Sequence, residues 1–234
     1  MPLDAVLVSD VHVDGPGCER QAAFLRFLGG LPCTAPPTLL LLGDIFHTWW
    51  HRGDESFAQF APVVRALADF PLFYVPGNHD FHAPAFFAGR GATVPVVPHA
   101  IGSSLTPTLG GVSAFVTHGD QVDNSAGYRA LHAVLRSPAF GRLMATIPPG
   151  AQWSFLHRLA GHARGVPSAL GMARQHTMGA RASPGHALVA MGHTHAPELV
   201  RHPSFTYLNT GDWVEHRTYG TVRDGVVELA RFDS

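Results

Sequence analysis

Five strand-like apolar runs in this chain each lead into residues that ligate metals. Ala5-Val6-Leu7-Val8 leads into Asp10-Val11-His12, Leu39 to Leu42 into Gly43-Asp44, and Leu72-Phe73-Tyr74-Val75 into Gly77-Asn78-His79-Asp80. Ser113 to Thr117 leads into His118-Gly119-Asp120, and Ala187-Leu188-Val189-Ala190 into Gly192-His193-Thr194-His195. In an open α/β sheet the carboxyl ends of the strands line one crevice, and ligands bind there. The pattern predicts that seven oxygen and nitrogen ligands, Asp10, His12, Asp44, Asn78, His118, His193 and His195, meet on one edge of one sheet. That set is large enough to hold two divalent metals.

The segments between the motifs set the fold class. Helical periodicity spans Cys18 to Leu28 and ends at Gly29-Gly30; a second amphipathic helix runs from Ser56 to Asp69, before Pro71; Ala83 to Gly89 is a short third. Thr93 to Val97 reads as a further strand, and Gly110-Gly111 as a turn between Leu109 and Val112. Strands alternating with helices imply an α/β fold. From Ala126 to Ala163 only helical patterns occur: Tyr128, Leu131, Val134 and Leu135 share a face, then Phe140, Leu143 and Met144, then Trp153, Leu156, Leu159 and Ala160. Gly161 to Gly185 is rich in Gly, Ala, Ser and Arg and reads as a mobile or weakly helical lid. Strands return at Ser204 to Leu208, Trp213 to Tyr219 and Val226 to Ala230. The expected organisation is one domain over residues 1–234 with a helical cap inserted at 124–186.

At 234 residues the chain suffices for one sizeable core. It has no apolar run long enough to span a membrane, and Met1-Pro2-Leu3-Asp4 leads into a strand without a signal-like segment. Cys18 and Cys33 are too few for a disulfide framework and suit a reducing compartment, so the expected location is the cytoplasm. The net charge of −1 hides an uneven distribution: there is no lysine, and between Asp123 and Glu198 there is no acid but seven arginines. Unless these pair with acids elsewhere, their planar forks suit an anionic, phosphorylated partner. No aromatic stacking array or basic run points to nucleic acid.

Carboxylate and imidazole together suit Mn, Fe, Zn or Co better than Ca or Mg, and no cysteine stands near these positions to make a thiolate zinc site. The ordered set D-x-H, G-D, G-N-H-D, H-G-D and G-H-T-H resembles the signature of the calcineurin-like metallophosphoesterases over nearly the whole chain. The resemblance implies two mixed β-sheets flanked by helices, with a helical cap insertion and a dinuclear centre. One metal would take Asp10, His12, Asp44 and His195, the other Asp44, Asn78, His118 and His193, with Mn favoured. Such a pair, about 3.5–4 Å apart, clamps phosphoryl oxygens and acidifies a water. His79 would stand near the leaving group as charge stabiliser or proton donor, and Asp80 would either hold the His79 ring or cap the following helix.

Three features further resemble the UDP-2,3-diacylglucosamine pyrophosphohydrolases of lipid A biosynthesis. They are Gly43-Asp44-Ile45-Phe46-His47-Thr48-Trp49-Trp50, then Gly127-Tyr128-Arg129 with Val134-Leu135-Arg136-Ser137-Pro138, then Asn209-Thr210-Gly211-Asp212-Trp213. That resemblance implies release of UMP and an acylated sugar phosphate. It also implies an apolar slot lined by Trp49, Trp50, Phe81, Phe86, Leu131, Val134 and Phe140, with Asp123, Tyr128, Arg129 and Arg136 toward the head group. The chain departs from the group: the cap lysines are absent, with Arg174, Arg181 or His176 as candidates to replace them, and the expected acidic pair is reduced to Asp123-Asn124. The alternative is a phosphodiesterase or nucleotide pyrophosphatase acting on soluble substrates. Arginines beside Trp153, Phe155 and Leu156 make peripheral contact of the cap with the inner membrane a further expectation.

Overall fold

The strands Ala5–Val8 and Leu188–Met191 are buried on both faces, which is why they are apolar without alternation. The computed structural model describes residues 2–49, 55–89, 103–123, 126–144, 146–147, 151, 154–155, 158 and 169–233, with the side chains of 55–58, 123, 138 and 141 outside that description. The strands are β1 (Ala5–Val8), β2 (Thr38–Leu41), β3 (Leu72–Tyr74), β4 (Ser104–Leu105), β5 (Thr108–Leu109), β6 (Val112–Thr117), β7 (Leu188–Met191), β8 (Glu198–Arg201), β9 (Thr206–Asn209), β10 (Thr218–Arg223) and β11 (Val226–Arg231). The helices are α1 (Glu19–Gly30), α2 (Glu55–Leu67), α3 (Ala83–Gly89), α4 (Ala126–Leu135), α5 (Pro138–Met144) and α6 (Ala169–Ala182).

Two mixed sheets form, where the residue pattern alone predicts one. The first has the order β11-β10-β1-β2-β3, with β1, β2 and β3 parallel and β10 antiparallel to β1. The second has the order β4-β6-β7-β9-β8, with β5 also on β6; here β6, β7 and β9 are parallel. The period of two along each strand divides its side chains between two cores. Ala5, Leu7 and Leu40 of the first sheet share a core with Ala114, Val116, Leu188, Ala190 and Leu208 of the second. Val6, Val8, Leu39 and Leu41 instead pack with Phe24, Phe27 and Leu28 of α1 and Phe60, Val63 and Leu67 of α2. The sheets approach closely at Gly220, where an added Cβ would come within 2.6 Å of Leu208 Cδ2.

Several local expectations change. The Cys18 thiol caps α1, accepting from Gln21 N at 3.3 Å. The Gly110-Gly111 turn has φ values of 51° and 83°, the doubly left-handed geometry that suits a two-residue hairpin. The last strand pair begins at Thr218, not Trp213. Asp212 accepts from Glu215 N and turns the chain there, while Trp213 is buried against Phe24, Phe27 and Phe232. Leu131 and Val134 do not face a core; they are 43% and 56% exposed, and His132 and Leu135 form the buried side of α4.

The expected lid is corrected most. Its second half is helix α6, whose buried face is Gly171, Gln175 and Gly179, spaced by four. Small residues at that spacing let the helix sit against the second sheet, with Gly179 beside Tyr207. Met178 joins a small core of Val189, Met191 and Tyr207. The expected strand at Thr93 to Val97, Trp50, Trp153, Leu156 and residues 159–168 lie outside the described residues. Trp213→Ala should cost about 3–5 kcal/mol by emptying a large aromatic site, read as a lower denaturant midpoint with unchanged slope; an unmoved midpoint would contradict this packing.

Candidate metal centre

Backbone hydrogen bonds between loops bring the ligands together. The segment after β1 runs beside the segment after β2: Asp10 N donates to Gly43 O at 3.0 Å, His12 N to Asp44 O at 2.9 Å and Val13 N to Ile45 O at 2.9 Å. Within the second sheet Gly192 N donates to His118 O at 2.9 Å, tying the loops after β7 and β6, and that sheet joins the first through His193 N, which donates to Asp10 Oδ2 at 2.8 Å. Asp10, His12, Asp44, His193 and His195 all have left-handed backbones, with φ between 50° and 70°. That region costs a non-glycine residue about 1–3 kcal/mol and persists only where the surroundings impose it. Gly77 and Gly192 permit the close approach, since a Cβ on either would overlap the carboxylate of Asp44 or Asp10 respectively.

Each buried carboxylate has two tasks. Asp10 Oδ2 is taken by His193 N, and its Oδ1 lies 3.3 Å from His195 Nε2 and 3.9 Å from His12 Nε2. Asp44 Oδ1 accepts from His79 N at 2.8 Å, and its Oδ2 lies 3.5 Å from His118 Nε2 and 4.0 Å from His12 Nε2. Asn78 Oδ1 stands 3.2 Å from His118 Nε2 and 3.1 Å from His193 Nδ1. His118 Nδ1 donates to Leu42 O at 2.7 Å, which turns the Nε2 lone pair inward, the usual role of such an outer partner. All seven expected ligands therefore meet at the strand ends of both sheets rather than of one.

The donors fit divalent cations. Asp10 Oδ1 is buried with no hydrogen-bond partner among the described residues, and His12 Nε2 faces His195 Nε2 at 3.3 Å. Asp10, His12 and His195 offer ligand atoms within 4.8 Å of one another, as do Asp10, Asp44 and His118. Mixed imidazole and carboxylate donors suit Mn, Fe, Co or Zn. Burial opposes ionisation of Asp44, yet the imidazoles of His118, His79 and His12 outweigh it and hold the carboxyl well below its usual range. Burial likewise disfavours a charged His118, but Asp44 overrides it and raises the imidazole.

The Asp80 side chain takes neither role expected of it. Its carboxylate accepts from Ile45 N at 2.8 Å, Tyr74 Oη at 2.6 Å and Gly77 N at 2.9 Å, tying the loop after β2 to the loop after β3. Burial and the Asp44 charge push its pKa up to about 6, against the lowering effect of Tyr74 and Gly77. The His79 ring is held instead by His47 O, 2.9 Å from its Nδ1, and it sits beside His12 with centroids 4.9 Å apart.

The expected substrate residues divide. Tyr128 Oη donates to Asp120 Oδ2 at 3.4 Å, and Arg136 lies over the Phe81 ring at 5.2 Å. Arg129 is exposed, and the Asp123 side chain lies outside the described residues. Trp49 lines no open slot: it is fully buried among Phe46, Phe60, Phe86 and Phe87. Arg174 donates to Val122 O and His176 pairs with Glu198, so two of the three candidates for the missing lysines hold the scaffold together.

One buried side chain was not anticipated. Gln175 of α6 donates to Gly192 O at 2.8 Å and accepts from Thr194 Oγ1, Tyr207 Oη and Asn209 Nδ2, gripping the loop that carries His193 and His195. The spacing of Gly171, Gln175 and Gly179 is the sequence signal for this docked face.

The calcineurin-like phosphoesterase family model matches residues 4–197. A protein of Xanthomonas campestris named UDP-2,3-diacylglucosamine hydrolase is 28% identical over 91% of this chain and 92% of its own length. One of the same name from Pseudomonas fluorescens is 24% identical over 97% of this chain and 94% of its own. A solved phosphoesterase from E. coli superposes with a TM-score of 0.47 at 16% identity, covering 97% of this chain and 92% of the other. Asp80→Asn would place an amide against backbone donors and should lower unfolding free energy by about 1–3 kcal/mol. Chemical denaturation checks this, and an unchanged midpoint would rule out the tie.

Proposed function

The chain belongs to the calcineurin-like phosphoesterase family and is a hydrolase, and from that premise we propose that it cleaves UDP-2,3-diacylglucosamine to UMP and 2,3-diacylglucosamine 1-phosphate. The observation that carries the reaction class is Asp44, one carboxylate oxygen within 4.0 Å of imidazoles from both donor sets. Asp10, His12, Asp44 and His195 would hold one divalent ion, and Asp44, Asn78, His118 and His193 the other. Bound there, the pair would polarise phosphoryl oxygens and acidify a water; Mn is the ion we favour.

The chain's own groups do the rest. His47 O fixes the His79 ring through Nδ1 and leaves Nε2 to meet the substrate. As imidazolium, His79 stabilises charge on the departing oxygen or protonates it. The choice of substrate draws on the names of the relatives and on the cap. Leu131, Val134, Leu143, Phe155 and Leu170 are exposed apolar side chains in a stretch without acids, which suits acyl chains or the surface of a membrane that carries them. Among the described residues no helix is long and apolar enough to cross a membrane. We place the protein in the cytoplasm with peripheral contact at the inner membrane.

A second reading, hydrolysis of soluble diphosphates or phosphodiesters, draws on the closed environment of Trp49. The test is turnover of UDP-2,3-diacylglucosamine with Mn, beside a plain UDP-sugar and bis-p-nitrophenyl phosphate. Wild-type protein should prefer the acylated substrate, Asp44→Ala should be inactive, and His79→Ala should lose about 10²–10⁴ in kcat. Turnover of the small esters alone would overturn the lipid substrate and leave the second reading.

A further inference from the structure

Helix α4 carries a stripe of polar side chains that the metal centre does not use. Tyr128 and His132 lie in the helix and Arg136 just past its end, where Arg136 N still donates to His132 O at 3.1 Å, so the spacing of four puts all three on one face. The Tyr128 and His132 rings lie 4.2 Å apart, and Tyr128 reaches the acid of the His118-Gly119-Asp120 motif. Arg136 covers Phe81, two residues beyond His79. The stripe thus lies beside the loops that hold the ligands, and the His132 imidazole feels the charges of Asp44, His79 and His193.

Two of its members have buried nitrogens with no hydrogen-bond partner among the described residues. His132 is 5% exposed, and its Nδ1 has no hydrogen-bond partner among the described residues. Arg136 Nε and Nη2 are buried and also lack one among the described residues. A buried donor without an acceptor costs more than a hydrogen bond returns, and a guanidinium more still. Such groups persist in native proteins for a reason, and an acceptor that arrives with a ligand is one. The acceptor must be anionic and planar-matched, because a guanidinium fork suits phosphate or carboxylate. Burial first, and then the charge of Arg136, push His132 down to about 4, so it meets an anion as a neutral donor.

We propose that His132 and Arg136 form a phosphate subsite beside the metal centre. It holds the phosphate of a diphosphate that is not attacked. This rests on the phosphoesterase reading and deepens it. The donor sets around Asp44 serve the reacting phosphoryl group. Arg136 reaches the chain just past His79, on the side assigned to the departing oxygen, so the group it meets is the phosphate of the leaving fragment. The subsite makes a diphosphate a better ligand than a monophosphate, and it supplies the fixed cation that Arg174 and His176, engaged elsewhere, do not.

Titration calorimetry of UDP and of UMP into the Mn-loaded protein tests this without turnover. Wild-type protein should bind UDP roughly ten- to a hundredfold more tightly than UMP, the range of a charge-assisted hydrogen bond. Arg136→Ala should shrink the ratio to about threefold or less, with Arg136→Lys and His132→Phe in between. Thermal melting confirms that each variant is folded, and Arg136→Lys keeps the test open if the alanine variant is not. Equal affinities in the wild type, or an unchanged ratio in folded Arg136→Ala or Arg136→Lys, would overturn the subsite. A standing ratio with no turnover of UDP-2,3-diacylglucosamine would sink the lipid substrate and leave the subsite; turnover of the lipid with the ratio absent would do the reverse.

Discussion

A carboxylate that is almost wholly buried, Asp44, has both oxygens committed. One is fixed by His79 N, and the other lies between His12 and His118. A charge removed from water survives only with partners that repay its desolvation. Here the partners are imidazoles from both sheets, so the position of Asp44 depends on the two sheets meeting at one edge. Much of the architecture serves that meeting. Gly77 lets the loop after β3 lie against Asp44, and Gly192 lets the loop after β7 lie against Asp10. Five of the candidate ligands, Asp10, His12, Asp44, His193 and His195, are held in left-handed conformations. The strain is affordable because the strands beneath are fully buried and paired on both sides.

Outer contacts then remove the remaining freedom. Leu42 O and His47 O orient two imidazoles through Nδ1, so that Nε2 is the atom presented in each. Asp80 joins the loops after β2 and β3 from below, and Gln175 joins helix α6 to the loop after β7. These residues touch no reacting atom; they hold the ones that do. Metal-ligand geometry tolerates little error, which is why such supports matter as much as the ligands.

The clustering of these residues was readable because chemistry and position coincide: Asp, Asn or His stands just past an apolar strand in every motif. The division into two sheets was not readable from the residues. A strand buried on both faces has the same composition whichever sheet it joins, and only the family resemblance supplied the second sheet. Trp213 to Tyr219 reads as one strand, yet the Asp212 turn puts Trp213 in the aromatic core beside α1. The docked face of α6 was hidden because glycine and glutamine carry no apolar periodicity; its signal is two glycines flanking Gln175 at a spacing of four. Trp49 was assigned to a substrate slot by analogy, and the neighbouring phenylalanines, distant in sequence, close over it.

If Asp44 is shared as proposed, one carboxylate assembles two cation sites from both sheets. Metal content per chain after loading and desalting, measured by plasma mass spectrometry, tests it most directly. About two divalent ions per wild-type chain are expected, and both should be lost as tightly held ions in Asp44→Ala. A single ion in the wild type, or two ions retained in Asp44→Ala, would contradict it.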